Sequence, residues 1–142
     1  MQKAITFQVE RGDFSATLVH SEKHTLRDLA ETILKAVKFD CDHCYGFYNN
    51  LKNPYRSTEE YTLFADIGQE AKVGDTGVCG TDLIHVFQPK KKLLFHFDYG
   101  DDWHFIVTCL KIEETKSQFR KPKILDPKGT PPVQYPDYDE ND

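Results

Sequence analysis

The chain has no excess of basic charge: 18 Lys and Arg stand against 23 Asp and Glu, for a net charge of −5. That balance argues against non-specific nucleic-acid binding, which needs a basic face. No stretch approaches the roughly 20 apolar residues of a membrane span. The opening residues, MQKAITFQVERGDF, lack the apolar core of a secretory signal. The expected setting is the cytoplasm, with no membrane partner. Cysteines are few, four in 142 residues, and in a reducing compartment they are thiols or metal ligands. The glycine-rich stretch 68–80 lacks the Gly-Lys-Ser/Thr ending of a phosphate loop, which excludes that mode of nucleotide binding. Also missing is any complete set of nucleophile, base and orienting group.

Aromatic side chains, in contrast, are plentiful at 13% of residues and fall in a few runs. The densest is Leu93 to Ile112, LLFHFDYGDDWHFIVTCLKI. Two alternating apolar arms flank Gly100-Asp101-Asp102, which reads as a β-hairpin. With those three residues as the loop, Tyr99 faces Trp103, Phe97 faces Phe105, Phe95 faces Val107 and Leu93 faces Cys109. One side of the ribbon is then wholly apolar, and each such pair contributes a few tenths to about 1 kcal/mol. A two-residue loop would mix the sides, which burial opposes. The other side carries His96, Asp98 and His104, with Asp98 opposite His104. Gly100 fits this loop badly, because a three-residue loop prefers its glycine last, at the left-handed position.

A length of 142 residues supports one core. Lys3 to Glu10 alternates as a strand, Arg11-Gly12-Asp13 turns, and Phe14 to His20 returns. Thr25 opens the clearest helix. Its hydroxyl caps the first turn, with Asp28 in near capping-box position. Leu26, Leu29, Ala30, Ile33, Leu34 and Val37 make one apolar stripe ending near Lys38, and Glu31 is spaced to attract Lys35. Cys44 to Asn49 and Tyr61 to Ile67 read as strands, and Thr81 caps a short helix through Phe87. Lys90, Lys91 and Lys92 guard the edge of the central hairpin. The expected fold class is α+β: a largely antiparallel sheet of about six strands in the order ββαββ(α)ββ, with one main helix packed on it. Residues 1–121 form the domain. Residues 122–136, with five prolines, form a proline-rich coil lying extended on the body, pinned by Ile124, Leu125, Val133 and Tyr135. Residues 137–142 form an acidic mobile tail.

Four motifs together resemble the plasmid pRiA4b ORF-3-like family, whose archaeal structural representatives are called MM3350-like. Thr25-Leu26-Arg27-Asp28-Leu29 looks like its helix start. Phe39-Asp40-Cys41-Asp42-His43-Cys44-Tyr45-Gly46-Phe47 is similar to its Asp-Asp-His-x-Tyr-x-Phe segment. Phe97-Asp98-Tyr99-Gly100-Asp101-Asp102-Trp103 is similar to its most specific signature, Tyr-Asp-Phe-Gly-Asp-x-Trp. Pro122-Lys123-Ile124-Leu125, with Gly129, Pro132, Tyr135 and Pro136, looks like its closing segment. The resemblance implies no activity, since members are mostly uncharacterised. Some are carried on mobile elements, but no nucleophile flanked by an arginine cluster supports recombination here. Cys41 and Cys44 depart from the family pattern.

Three groups carry candidate chemistry. Asp98, Asp101, Asp102 and His104, joined by His43 and Asp42 if the two motifs meet, offer the oxygens and imidazoles of a Mg²⁺, Mn²⁺ or Zn²⁺ site. The plain alternative is a turn in which Asp98 accepts backbone N–H groups or pairs with His104. Cys41 and Cys44 have the spacing of half a zinc site or a redox pair. The other half would have to come from His20, His24 or His43, and unpaired thiols are the plain alternative. Cys79 and Cys109 read as ordinary buried residues. The aromatics read as core rather than a base-stacking platform, because their neighbours are acidic, and Trp103 is expected to hydrogen-bond its indole N–H. The leading expectation is a non-catalytic module that binds a protein or small ligand through the DYGDDW turn. The first rival is a metal-dependent hydrolase or nuclease using Asp98, Asp101, Asp102, His104 and His43. The second is a nucleic-acid accessory factor of a mobile element.

Overall fold

In the computed structural model, which describes residues 2–63, 65 and 76–135, the elements run as follows. They are β1 (Gln2–Arg11), β2 (Phe14–Ser21), α1 (Leu26–Val37), β3 (Tyr45–Tyr48), a 3-10 turn (Pro54–Arg56), β4 (Glu60–Thr62), β5 (Thr76–Gly77), α2 (Leu83–Val86), β6 (Lys92–Phe97), β7 (Trp103–Thr115) and β8 (Lys123–Lys128). The strands form one sheet in the order β5-β4-β3-β6-β7-β1-β2-β8. Every neighbouring pair is antiparallel except β4 with β5. The fold is α+β, with eight strands among the described residues rather than about six.

Alternation in β1 and β2 sends Ile5, Phe7, Val9, Ala16 and Leu18 into the core. There they meet the stripe of α1, whose Leu26, Leu29, Ala30, Ile33, Leu34 and Val37 are all buried. Each fully buried large side chain adds roughly 1.5–3 kcal/mol. The capping box forms: Thr25 Oγ1 accepts from the Asp28 N–H at 3.3 Å, and Asp28 accepts from the Thr25 N–H at 2.8 Å. Lys38 ends the helix in a left-handed conformation. Glu31 pairs with Arg27 at 3.4 Å, one turn before it, rather than with Lys35.

The central hairpin has the expected sides but a different register. Phe97 faces Trp103, His96 faces His104, Phe95 faces Phe105 and Leu93 faces Val107. The loop is thus Asp98 to Asp102, two residues longer than expected. A shift of two preserves sidedness, because side chains alternate with period two, so Phe95, Phe97, Phe105 and Val107 still share the core. Tyr99 leaves the apolar side and joins the loop. The turn explains the misfit of Gly100: the left-handed positions belong to Asp98 (φ 58°) and Asp102 (φ 59°), and aspartate tolerates that region better than most residues. Farther along, a bulge opposite Thr6 and Phe7 reverses the alternation of β7. Leu110 is therefore exposed while Ile112 turns back to the core.

Three further expectations are corrected. The proline-rich segment is not coil throughout: Lys123–Lys128 forms an edge strand antiparallel to β2, and residues 129–135 carry no regular structure. Pro127 is tolerated because it follows Asp126, left-handed at φ 47°, where the register shifts and the ladder is interrupted. Tyr135, though exposed, holds the segment through its hydroxyl, which donates to Asp42 at 2.8 Å, but Ile124, Leu125 and Val133 are exposed and do not pin it. Instead buried Gln134 brackets Asp40: its Oε1 accepts the Asp40 N–H at 2.7 Å and its Nε2 donates to the Asp40 carbonyl at 3.1 Å. The strand predicted from Tyr61 stops at Thr62, and residues 66–67 lie outside the described set, as do most of the glycine-rich stretch and the acidic tail. Thr81 does not cap α2; its hydroxyl donates to the Gly77 carbonyl at 2.6 Å, and Asp82 takes the cap position.

Candidate metal centre

On the side of the sheet away from the helices, β6 and β7 place His96 and His104 directly across from each other. His96 is fully buried. Rings of Tyr99, Tyr48 and Tyr55 surround it, with centroids 4.5, 6.1 and 6.1 Å away. Gly46 lies opposite His96 on β3. A Cβ there would stand 2.8 Å from the Tyr48 ring, so glycine leaves that ring its place over the site. The Tyr48 and Tyr99 hydroxyls meet at 2.7 Å.

Because the hairpin loop closes with Asp102 left-handed, its carboxylate folds back over the two imidazoles. Oδ1 of Asp102 lies 2.7 Å from Nε2 of His104 and 2.6 Å from Nε2 of His96. The first contact is a hydrogen bond. The second is short but out of line: neither ring nitrogen of His96 makes a hydrogen bond among the described residues. Burial holds the His96 imidazole below its usual pKa, the neighbouring His104 adds to this, and Asp102 only partly offsets it. Burial pushes Asp102 up, but the hydrogen bond from His104 and the charges of both imidazoles outweigh it, so the carboxylate titrates below its ordinary range. The site therefore combines a carboxylate held toward its charged form with a buried imidazole held toward its neutral form.

Among the described residues, His96, Asp102 and His104 are the group of three or more His, Cys, Asp or Glu whose ligand atoms all lie within 4.8 Å of one another. A tetrahedral ion bound at 2.0–2.1 Å would hold such atoms about 3.3 Å apart. Opening the present contacts by about 0.6 Å meets that requirement, a rotamer-scale adjustment for an exposed Asp102. His96 Nδ1 lacks the outer acceptor that metal-bound histidines usually have. Packing against the three tyrosines orients the ring instead.

The other residues singled out from the sequence form a neighbouring but separate cluster. Asp98 does not pair with His104. It is buried, and its Oδ1 accepts from the N–H groups of Gly100 and Asp101 at 3.2 and 3.3 Å. Its Oδ2 lies 3.5 Å from Nδ1 of His43, and its own N–H donates to the Cys44 carbonyl at 2.9 Å. His43 also meets Asp42 at 2.8 Å. Tyr135 donates to Asp42 at 2.8 Å and Gln134 donates to it at 3.1 Å. The Tyr135 and His43 hydrogen bonds hold the Asp42 carboxyl below its ordinary range, and Asp42 in turn raises His43. Asp98 and Asp42 thus serve to tie the hairpin loop, the β3 approach and the C-terminal segment together. Asp101 contributes its N–H, and its side chain is in no ligand group among the described residues.

Cys41 and Cys44 belong to no ligand group among the described residues either. His20 and His24 cannot complete them: α1, about 18 Å long, separates its N-terminal end, where they lie, from the loop that holds the cysteines. Cys79 is exposed, contrary to expectation, and Cys109 is buried. The Trp103 indole N–H finds no acceptor among the described residues. Its ring is held by Phe39 at 4.9 Å and by the Arg11 guanidinium at 4.6 Å. His96 is the residue that sequence reasoning left out of the site. With a five-residue loop, the pairing His96–His104 can be read directly from the sequence. The signal was there, but the shorter loop hid it.

The sequence profile described as Plasmid pRiA4b ORF-3-like protein matches residues 4–135. A solved structure, the crystal structure of protein of unknown function MM3350 from Methanosarcina mazei Go1, superposes with a TM-score of 0.73. The two share 16% identity over 94% of this chain and 74% of that one, a likeness of fold. No curated protein matches the chain by sequence. Among the described residues no helix is long and apolar enough to cross a membrane.

Proposed function

The chain belongs to the plasmid pRiA4b ORF-3-like family, and within it we propose that this protein is a transition-metal-binding domain whose ion is held by His96, Asp102 and His104. The observation that carries the reading is His96: a fully buried imidazole, free of hydrogen bonds among the described residues, with Nε2 turned to a carboxylate and a second imidazole. Two nitrogens and one oxygen favour Zn²⁺, Fe²⁺, Co²⁺ or Mn²⁺ over Mg²⁺ or Ca²⁺, which prefer oxygen. Three protein ligands leave a coordination position open, the pattern of catalytic rather than structural zinc. An ion so held can polarise a bound water for hydrolysis.

The test is metal analysis of purified protein, with Co²⁺ absorption as a report on geometry. One ion per chain is expected, with a Co²⁺ spectrum that shifts on adding azide, which needs an open position. Asp102→Asn suits the left-handed backbone and removes the charge. It should weaken binding at least about tenfold, the loss seen when a ligand shell is disturbed, without altering the fold. No stoichiometric ion and no thermal shift with Zn²⁺ or Mn²⁺ would overturn the reading and leave the turn as a contact surface for a protein partner.

A further inference from the structure

The opposite end of the sheet, where β1 begins and β2 ends, borders a cavity of about 470 Å³. Gln2, Ser21, Lys23, His24, Phe119 and Arg120 are among its lining residues. The walls are fixed by internal bonds. Ser21 Oγ donates to Gln2 Oε1 at 3.0 Å, and Gln2 Nε2 donates to the Ser117 carbonyl at 3.1 Å. His24 Nε2 holds the Arg120 carbonyl at 2.9 Å. The Phe119 ring stands edge-on to His24, and the Lys123 ammonium lies 5.4 Å from its centroid.

Charge distinguishes this cavity. Neither Lys23 nor Arg120 makes an ion pair among the described residues, and no acidic residue lines it. An adjoining hollow of about 220 Å³ shares His24 and Arg120 and does contain carboxylates. Those are committed: Asp28 caps α1, and Glu31 pairs with Arg27. The segment from Lys116 to Lys123, KSQFRKPK, carries cations at Lys116, Arg120, Lys121 and Lys123 and no acid, in a chain of net charge −5.

We infer that this cavity binds a small phosphorylated aromatic compound, with Lys23 and Arg120 on the phosphate and Phe119 against the flat body. Two unpaired cations match a dianion, and Arg in particular forms paired hydrogen bonds with phosphate oxygens. The volume lies within the roughly 300–1,000 Å³ of small-molecule sites. An aromatic wall beside cations adds stacking and selects against inorganic phosphate.

Full-length protein freed of metal by a chelator, titrated with phenyl phosphate and followed by calorimetry and NMR, tests this apart from the metal centre. Saturable one-to-one binding is expected, about tenfold tighter than for inorganic phosphate, equal to about 1.4 kcal/mol. Lys23→Gln with Arg120→Gln, both at exposed positions, should weaken it at least tenfold while the melting curve stays unchanged. Phe119→Leu should abolish the preference over inorganic phosphate. Equal binding of the two anions would mean plain charge attraction and overturn the proposal. So would unaltered binding by the double variant, or binding of a single-stranded oligonucleotide when phenyl phosphate does not bind.

Discussion

Two histidine pairs sit at opposite ends of one sheet, and they are built to opposite ends. At the start of α1, His20 Nδ1 and His24 Nδ1 lie 2.9 Å apart. His24 Nδ1 also accepts the Ser21 N–H at 3.1 Å, so it carries no proton. His20 Nδ1–H must therefore donate to it, and His24 Nε2–H donates to the Arg120 carbonyl. Three of the four ring nitrogens have assigned partners, and the pair is a lock between β2, α1 and the C-terminal segment. At the hairpin loop, His96 and His104 share one oxygen of Asp102, and His96 keeps no in-line bond at all. His20 Nε2 is also buried and without a hydrogen bond among the described residues, but it stands in no ligand group there. The lesson is that an incomplete buried histidine is open to an ion only where other ligands stand beside it.

Deleting one member of each pair breaks the comparison most sharply. His24→Leu strands the Ser21 N–H, the His20 Nδ1–H and the Arg120 carbonyl, at about 1–3 kcal/mol for each buried group left unpaired. A loss of at least about 3 kcal/mol is expected in urea melts. His104→Leu, at a half-exposed site, should cost the metal-free protein less than about 1 kcal/mol, as surface changes usually do. Similar losses from the two would show that the hairpin pair is also a lock.

Metal addition comes next. Zn²⁺ at 100 times its dissociation constant should stabilise the protein by about 2.7 kcal/mol. His104→Leu should erase that gain, and His24→Leu should not. Thermal melts with and without Zn²⁺ read both.

The pH dependence is of slightly smaller size. Burial, with the charge of His24 adding to it, lowers the His20 pKa to about 3. The unfolded chain, with its histidine near 6.5, binds the proton first, so stability is full above about pH 6.5 and falls as pH drops toward 3. Going from pH 7 to 5 should cost about 2 kcal/mol from this residue. Melts of His20→Phe across that range should lack this part of the slope. An unchanged slope would assign acid sensitivity elsewhere.

The smallest effect concerns the loop. Asp102→Gly relieves the left-handed aspartate and should raise metal-free stability by about 0.5–1 kcal/mol. It should also abolish the Zn²⁺ shift. A loss of stability would show that the carboxylate is needed to hold the two imidazoles, even without an ion.

Much of this was legible in the residues. The capping box at Thr25 and Asp28, the α1 stripe and the two sides of the hairpin follow from local chemistry and periodicity. The ligand set did not, because the loop length was decided by two aspartates accepting left-handed backbone rather than by Gly100. β8 was hidden for a related reason: prolines argue against a strand, but an edge position with an interrupted register removes the objection. Gln134, which docks the final segment, carries no pattern at all.

The sequence alone determined which side chains of β1, β2 and α1 face the core, because alternation and helical spacing are properties of the chain itself. Only the tertiary structure decided which polar groups meet. Whether His96 lies across from His104 depends on a shift of two residues that keeps Phe95, Phe97, Phe105 and Val107 on the same side, so burial, the strongest force written in the sequence, is nearly indifferent to it.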